Sequence, residues 1–354
     1  NMKKQIGYLF VFITVFIWNN AFPQDSLKTD LSKVNSVIFS EDKILPIKLS
    51  YSINEIKKET NDSTYIDSNL SYQLNDGSWG SLPVELRARG NYRLKNCYFA
   101  PLKIKIKKSV SNHTPFEGNK TFKAVLPCLL NSDNDDNVIK EYLVYKLFEM
   151  VSPYYFKTRL VDIDFEQIKN NKTKAHLLKG FFIEDDKTLA KRVDGKVYDR
   201  SVHPLNQDDL TSVRNAFFQF MIGNTDFSQA YQHNVKIFYI DKKMTPVPYD
   251  FDMAGFVNAS YAVVSQIQGE SIGTTSVTDR KYRGFIRDKS IFDQVRQEFL
   301  ANKTKMLAVL DANASYFEDP RAFSIAKEYI LSFFEIIVND SRYKNEILDE
   351  ARKE

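Results

Sequence analysis

The sequence predicts an α+β fold of two lobes, in which a β-rich N-terminal lobe precedes a mainly helical C-terminal lobe. Strand-like runs dominate the first half of the 354-residue chain, whereas helical spacing dominates from about residue 205 onward. Strands first and helices later are typical of α+β proteins. Charged residues and Gly195 cluster at 191–195, so we place the lobe boundary there and predict domains at 25–192 and 193–354.

The first predicted strand covers 44–49, and the next two form a hairpin. The runs 70–74 and 82–87 flank the sequence Asn75-Asp76-Gly77. Asn and Gly tolerate the positive φ angles that tight hairpin turns require. We therefore predict two antiparallel strands joined at this turn.

A lysine-rich strand is predicted at 102–107. Strict alternation places its apolar residues on one face and Lys103, Lys105 and Lys107 on the other. Two interpretations remain open. The lysines form the solvated face of an edge strand, where lysine is common, or one of them faces a nucleotide phosphate.

Later segments alternate between helical and strand patterns. An apolar stripe at helical spacing runs from Val138 to Met150, includes Glu141, and is stopped by Pro153. Strands are predicted next, at 159–165 and 177–184. The remaining predicted helices cover 210–222, 290–316 and 320–339.

The N-terminus predicts a secretory signal at residues 1–24. Lys3 and Lys4 precede an apolar run of 13 residues from Ile6 to Trp18, a pattern typical of such signals. A helix needs about 20 apolar residues to span a bilayer. We therefore expect an exported chain (periplasm, cell surface or secreted) that begins near Asp25 and has no stable membrane span.

Charge argues against a nucleic-acid partner. The formal net charge is +4, and removal of Lys3 and Lys4 with the signal would reduce it by two. So small an excess provides no strong electrostatic attraction to nucleic acid or to a membrane surface.

Cys97 and Cys128 are the two cysteines of the sequence. An even number of cysteines in an exported chain predicts a disulfide. Cys97 precedes the lysine-rich strand and Cys128 follows the run 122–127, so neighbouring strands would bring their Cα atoms within the roughly 4.4–6.8 Å that a disulfide needs. The alternative is two buried thiols.

Polar residues suited to magnesium and phosphate chemistry concentrate at 223–255. Asp226 is followed by Asn234, then by a strand-like run at 235–240, and then by Asp250 and Asp252. Phosphoryl-transfer enzymes use one carboxylate at the acceptor hydroxyl, and an Asn and an Asp at the magnesium ion. The alternative is a β-hairpin flanked by solvated acidic turns.

Three segments together carry a family resemblance: RARGNYRLKNCYFAPLKIKIKK, GFFIEDDKTLAKR and 223–255. They are similar, in turn, to an Arg-rich and Lys-rich segment, to the hinge strand and to the catalytic stretch of the CotH kinase family, and most closely of its exported Bacteroidetes-type members. The resemblance implies a protein-kinase-like fold with ATP and Mg²⁺ between two lobes. It implies a catalytic role for Asp226, metal ligation by Asn234 and Asp250, with Asp252 as a possible second ligand, and phosphate contact by Lys103 or Lys105. By analogy with the kinase Lys–Glu pair, Glu141 would be the partner of that lysine.

Arginines are predicted to cover the phosphates, because the chain contains no G-x-G-x-x-G motif. Guanidinium groups bind phosphate in a bidentate manner, which makes Arg87 and Arg89 suitable. They suit salt bridges with Glu85 or Asp76 equally well.

The sequence therefore predicts an exported, Mg²⁺-dependent and ATP-dependent phosphotransferase that acts on a protein or a surface molecule. One alternative is a kinase-fold binding or scaffold protein without turnover. Another is a carbohydrate-binding or adhesion module of the cell envelope.

Overall fold

Seven strands form a closed barrel in the N-terminal half of the protein. A computed structural model describes residues 37–130, 133–170, 172–267 and 270–353, so the predicted signal at 1–24 lies outside the described residues. The barrel order is β1-β2-β3-β4-β5-β7-β6. Its strands are β1 (Leu45–Tyr51), β2 (Ile66–Gln73), β3 (Trp79–Ala88), β4 (Leu102–Lys105), β5 (Thr121–Val125), β6 (Thr158–Lys169) and β7 (Lys172–Glu184).

Parallel pairing of β1 with β6 closes the barrel. Leu45 pairs with Val161, and the register continues to Tyr51 opposite Gln167. The other neighbouring strands of the barrel pair in antiparallel fashion. Alternating apolar side chains fill the interior, as the alternating burial of β1 illustrates.

The β2–β3 hairpin turns at Gly77, as predicted. Gly77 has φ +84°, a conformation that glycine adopts without steric cost. Gly77 N–H donates to the Leu74 carbonyl, and Leu74 N–H donates to the Ser78 carbonyl. These bonds fix the register of the two strands.

Short helices decorate the barrel, and longer helices fill the C-terminal half. Near the barrel lie α1 (Ile53–Glu59), α2 (Tyr92–Asn96) and α3 (Lys108–Ser111), and α4 (Asp133–Phe148) packs against β7. The later helices are α5 (Asp186–Arg192), α6 (Asp209–Met221), α7 (Lys289–Ala312), α8 (Pro320–Val338) and α9 (Asp340–Tyr343), with a π-helical turn at Lys344–Leu348. Side chains cap several of them; Asp208, for example, accepts a hydrogen bond from Thr211 N–H at the start of α6.

The C-terminal half also contains two small sheets. One has the order β10-β9-β8 and consists of β8 (Lys196–Tyr198), β9 (Val235–Ile240) and β10 (Lys243–Pro248). The other pairs β11 (Gln266–Ile267) with β12 (Glu270–Ser271). The β9–β10 hairpin carries the acidic segment of the predicted site out of the sheet at Pro248.

The predicted two-lobed, protein-kinase-like fold with a mainly helical C-terminal lobe is wrong. The strands close into a barrel, because β1 pairs along its length with the distant β6. One hydrophobic cluster joins the outer face of the barrel, at Leu160, Phe181 and Ile183, to the helices of the C-terminal half. The C-terminal half also contains the sheet β10-β9-β8.

The predicted disulfide is confirmed. Cys97 and Cys128 are bonded, with their Cα atoms 4.5 Å apart. Tyr98 N–H donates to the Cys128 carbonyl and thereby ties the two segments together beside the bond. Within the described residues, no helix is long and apolar enough to cross a membrane.

Candidate functional site

A cleft of about 350 Å³ lies where the end of β3 faces the segments at either end of the β9–β10 hairpin. One wall consists of residues 89–93 and Pro101. The other walls carry Asp226, His233, Asn234, Tyr249, Asp250 and Asp252. The four polar residues singled out in the segment 223–255 therefore line one cleft.

Asp226 and Asn234 contact each other directly. Asn234 Nδ2 donates to the Asp226 backbone carbonyl at 2.6 Å and to Asp226 Oδ2 at 3.1 Å. A tight loop brings them together, since Ser228 and His233 exchange two backbone hydrogen bonds of 2.9 and 3.0 Å. Asn234 has φ +52°, a left-handed conformation in which Asn is enriched. The loop thus brings Asp226 and Asn234, which are eight residues apart, into contact.

His233 is a site residue that the sequence reasoning missed. Its Nε2 lies 3.1 Å from Asp226 Oδ1, and this hydrogen bond raises the pKa of His233. With Asn234 on Oδ2 and His233 on Oδ1, both oxygens of Asp226 are held. The Asp226 side chain is still 37% exposed, so it remains accessible from the cleft. Adjacency to Asn234 was the only sequence signal for His233.

Asp250 has a constrained backbone and a free carboxylate. Its φ is +63°, and its N–H donates to the Tyr145 hydroxyl at 3.0 Å. Among the described residues, its carboxylate makes no hydrogen bond and no ion pair. Asp250 is half-buried and faces the cleft beside Asn234, whose Oδ1 likewise accepts no hydrogen bond from the described residues.

Asp252 and Glu141 share one arginine, Arg93, in the wall of the cleft. Arg93 Nε lies 3.2 Å from Asp252 Oδ2, and Arg93 Nη2 lies 3.5 Å from Glu141 Oε2. Arg93 Nη2 also donates to the Tyr261 hydroxyl at 3.0 Å. The two carboxylate contacts are close ion pairs that lack hydrogen-bond geometry.

Burial controls the protonation of this cluster. Desolvation raises the pKa of Glu141 to about 8 and the pKa of Asp252 to about 6, and the Arg93 guanidinium opposes both shifts. The nearby Asp250 charge adds to both. One guanidinium thus faces two buried carboxyl groups, and burial favours the protonated form of each.

The predicted pair between Glu141 and a strand lysine does not form. Glu141 contacts Arg93, while Lys103 lies 3.2 Å from Asp185 and Lys105 lies 2.6 Å from Glu85. Lys103 and Lys105 point away from the barrel interior on β4, because the apolar residues of β4 fill that interior. Neither lysine lines the cleft.

Arg87, on β3, and Arg89, just after β3, differ in their surroundings. Arg87 pairs with Asp62 at 2.9 Å and donates to the Tyr65 hydroxyl at 3.2 Å, so neither predicted carboxylate is its partner. Arg89 lines the cleft. Its guanidinium makes no hydrogen bond and no ion pair with any residue that the structure describes. Arg89 is thus the cation available to an anion in the cleft.

The donor set fits a magnesium ion held jointly by protein and phosphate. Within the described part of the chain, no group of three or more His, Cys, Asp or Glu side chains is placed to hold a metal alone. Mg²⁺ commonly takes one or two carboxylates together with substrate phosphates. Asp250 and the Asn234 amide oxygen meet that need, whereas Asp252 Oδ2 lies 3.2 Å from Arg93 Nε.

In comparisons with known proteins, the chain matches no protein-family model and no curated protein sequence.

Proposed function

We propose that the cleft binds ATP with Mg²⁺ and transfers the γ-phosphoryl group to a hydroxyl of a protein or surface acceptor. The observation that carries the proposal is the convergence of Asp226, Asn234 and Asp250 on one cleft, with a free carboxylate at Asp250. The resemblance of 223–255 to the catalytic stretch of the CotH kinase family supports the same chemistry. Arg89 adds an unpaired cation on the opposite wall.

Asn234 Oδ1 and Asp250 would hold the metal ion. Bound there, Mg²⁺ would neutralise charge on the phosphate oxygens. Asn234 keeps its oxygen free for this role because its Nδ2 is committed to Asp226. Arg89 would grip a phosphate through its planar guanidinium, which presents several N–H donors in a fixed geometry.

Asp226 would orient the acceptor hydroxyl and take its proton. The acceptor oxygen forms a bond to the γ-phosphorus while the bond to the β–γ bridging oxygen breaks and ADP leaves. The proton moves from the acceptor to Asp226. Asn234 and His233 hold the two carboxylate oxygens, so the orientation of Asp226 is fixed before the acceptor arrives.

We also propose that the protein acts outside the cytoplasm. The Cys97–Cys128 disulfide supports this location, because disulfides persist in oxidising compartments. The predicted signal at 1–24 supports it independently. The acceptor would then be an exported protein or a molecule of the cell surface.

Calorimetric titration of ATP tests the nucleotide site. We expect ATP to bind much more tightly with Mg²⁺ than with EDTA, and Asp250→Ala to abolish that difference while the fold survives. Asp62→Ala is the matched control, since it removes an acidic side chain that is 97% exposed and paired with Arg87 outside the cleft. Equal Mg²⁺ dependence in Asp250→Ala and Asp62→Ala would refute the assignment.

Turnover separates an enzyme from a binding protein. With the wild-type protein, transfer of labelled γ-phosphate to itself or to exported proteins supports a phosphotransferase. Tight Mg²⁺-dependent binding of ATP without any transfer or hydrolysis would instead indicate a nucleotide-binding protein without turnover.

A further inference from the structure

We infer that the Tyr145 hydroxyl is a positioning group for Asp250 and sets the metal affinity of the cleft. This inference rests on the proposed function, since it assumes that Asp250 holds the metal ion. Tyr145 would touch neither metal nor nucleotide. It would act through the backbone of Asp250.

The contact is a single hydrogen bond in the protein interior. Tyr145 is 2% exposed and lies on α4. Its hydroxyl accepts the Asp250 N–H at 3.0 Å. Asp250 has φ +63°, a left-handed conformation that residues other than Gly, Asn and Asp rarely adopt. The bond therefore supports a backbone conformation in which Asp250 lines the cleft.

Two further contacts hold the same turn. Phe251 is fully buried, and its ring centroid lies 4.8 Å from that of Tyr145. Asp252 is held by Arg93, which also contacts Glu141, one helical turn before Tyr145 on α4. Residues 250–252 are thus fixed at a backbone N–H, a ring and a carboxylate. Only the first of these contacts fixes the backbone of Asp250 itself.

Removal of the hydroxyl alone isolates this contact. In Tyr145→Phe the ring keeps its packing against Phe251 and Phe181, whose centroid lies 5.7 Å away. The Asp250 N–H loses its acceptor, and the left-handed conformation loses its support. Partners that orient a metal ligand change metal affinity by about 10–100-fold when mutated. The effect should appear only in the Mg²⁺-dependent part of ATP binding.

Tyr142→Phe is the matched control. Tyr142 is also 2% exposed on α4, with its ring centroid 5.9 Å from that of Phe181. Its hydroxyl makes no hydrogen bond with any described residue. Tyr142→Phe therefore removes a tyrosine hydroxyl from the same helix without touching the 250–252 turn.

The test measures ATP affinity across a Mg²⁺ titration, with an EDTA reference, for the wild type and both variants. We expect Tyr145→Phe to raise the Mg²⁺ concentration at half-effect about tenfold, with ATP affinity in EDTA unchanged and Tyr142→Phe like the wild type. A Tyr145→Phe midpoint equal to that of Tyr142→Phe, with a Mg²⁺-dependent wild type, would overturn the inference alone. A wild type whose ATP binding ignores Mg²⁺ would overturn the proposed function and this inference with it.

Discussion

Arg93 Nε lies 3.2 Å from Asp252 Oδ2 in the interior of the protein, and the same guanidinium is the ion-pair partner of Glu141. One buried cation thus serves two buried carboxylates. A buried charge without compensation is costly, so burial favours the protonated form of these carboxyl groups. Burial raises the pKa of both Glu141 and Asp252, and the Arg93 guanidinium opposes the shift in each.

This protonation predicts a pH-dependent stability. Burial raises the pKa of Glu141 from an ordinary 4.5 to about 8. Between those values the folded protein binds a proton that the unfolded chain has released, so this group makes stability fall as pH rises. Glu141→Gln stays neutral at all pH values. We expect this variant to lack the fall in stability with pH. The stability of Glu141→Gln relative to the wild type should therefore be greater near pH 9 than near pH 5.

Denaturant unfolding at several pH values between 5 and 9 measures the effect. Glu335→Gln is the control, because Glu335 is exposed on α8 and makes no ion pair among the described residues. If the free energy of unfolding changes with pH in the same way for the wild type, Glu141→Gln and Glu335→Gln, then Glu141 is ionised in the folded state.

Arg89 and Arg87 provide a paired test of phosphate binding. Arg89→Met should weaken Mg²⁺-dependent ATP binding by about 10-fold or more, since a hydrogen bond to a charged group contributes about 1.5–3 kcal/mol. Arg87→Met should leave affinity near the wild-type value, because Arg87 is held by Asp62 and Tyr65 outside the cleft. Calorimetry measures the ATP affinity of both variants. An equal loss of affinity in the two would indicate a general electrostatic effect and not a specific contact by Arg89.

The disulfide should contribute substantially to stability. It joins residues 31 positions apart, and closing a loop of that length stabilises by about 3–4 kcal/mol in the chain-entropy model. The double variant Cys97→Ser/Cys128→Ser should therefore have a free energy of unfolding that is lower by that amount. Its denaturant midpoint should fall accordingly. Mass spectrometry of the wild type should show two hydrogens gained on reduction. Two free thiols in the untreated protein would contradict the bond.

Gly223 should be intolerant of a side chain. It has φ +62°, and a Cβ there would collide with the Tyr329 hydroxyl. Tyr329 is itself fixed, since it donates to the Thr278 carbonyl at 2.9 Å. We expect Gly223→Ala to destabilise the protein by about 2–4 kcal/mol.

Gly77→Ala separates the cost of the steric clash from the cost of the positive φ angle. Gly77 has φ +84° but no atom within 4 Å of its virtual Cβ, so only the conformational term of about 1–2 kcal/mol applies. Thermal unfolding of both variants measures the difference. Equal destabilisation would mean that Tyr329 moves aside freely.

Local patterns in the sequence predicted several of the strands and helices, but not the closure of the strands into a barrel. The alternation at 102–107 and the turn at Gly77 depend on residues near in sequence, and the structure has β4 and the β2–β3 hairpin there. The pairing of β1 with β6 joins segments more than a hundred positions apart. The alternation of apolar and polar residues indicates which face of a strand is buried, but it does not indicate which strand pairs with it.

The same limit applies to the site. The inventory of Asp226, Asn234 and Asp250 was visible because these residues lie within one short segment, and the structure brings them to one cleft. Arg93 was visible only as part of an arginine-rich segment, and Tyr145 only as part of the apolar stripe from Val138 to Met150. Their roles depend on contacts with Asp252 and Asp250 across the fold, for which sequence spacing contains no signal.

Asp226 should matter for turnover and little for nucleotide affinity. It would contact the acceptor hydroxyl rather than the triphosphate, so its loss should lower kcat without changing the affinity for ATP. Asp226→Asn keeps the shape and the hydrogen bond to Asn234 through its oxygen, but removes the negative charge. General-base groups contribute typically 10²–10⁴-fold, and we expect a loss of kcat of about that size.

His233→Gln separates proton acceptance from orientation of Asp226. His233 Nε2 contacts Asp226 Oδ1 at 3.1 Å and is 58% exposed at its side chain, so Gln can restore that hydrogen bond without titrating. If Asp226 itself takes the proton, His233→Gln should retain most of kcat while Asp226→Asn loses it. Initial rates and ATP affinities of the two variants decide the assignment. Near wild-type turnover in Asp226→Asn, or an equal loss in both variants, would remove Asp226 from the role of base.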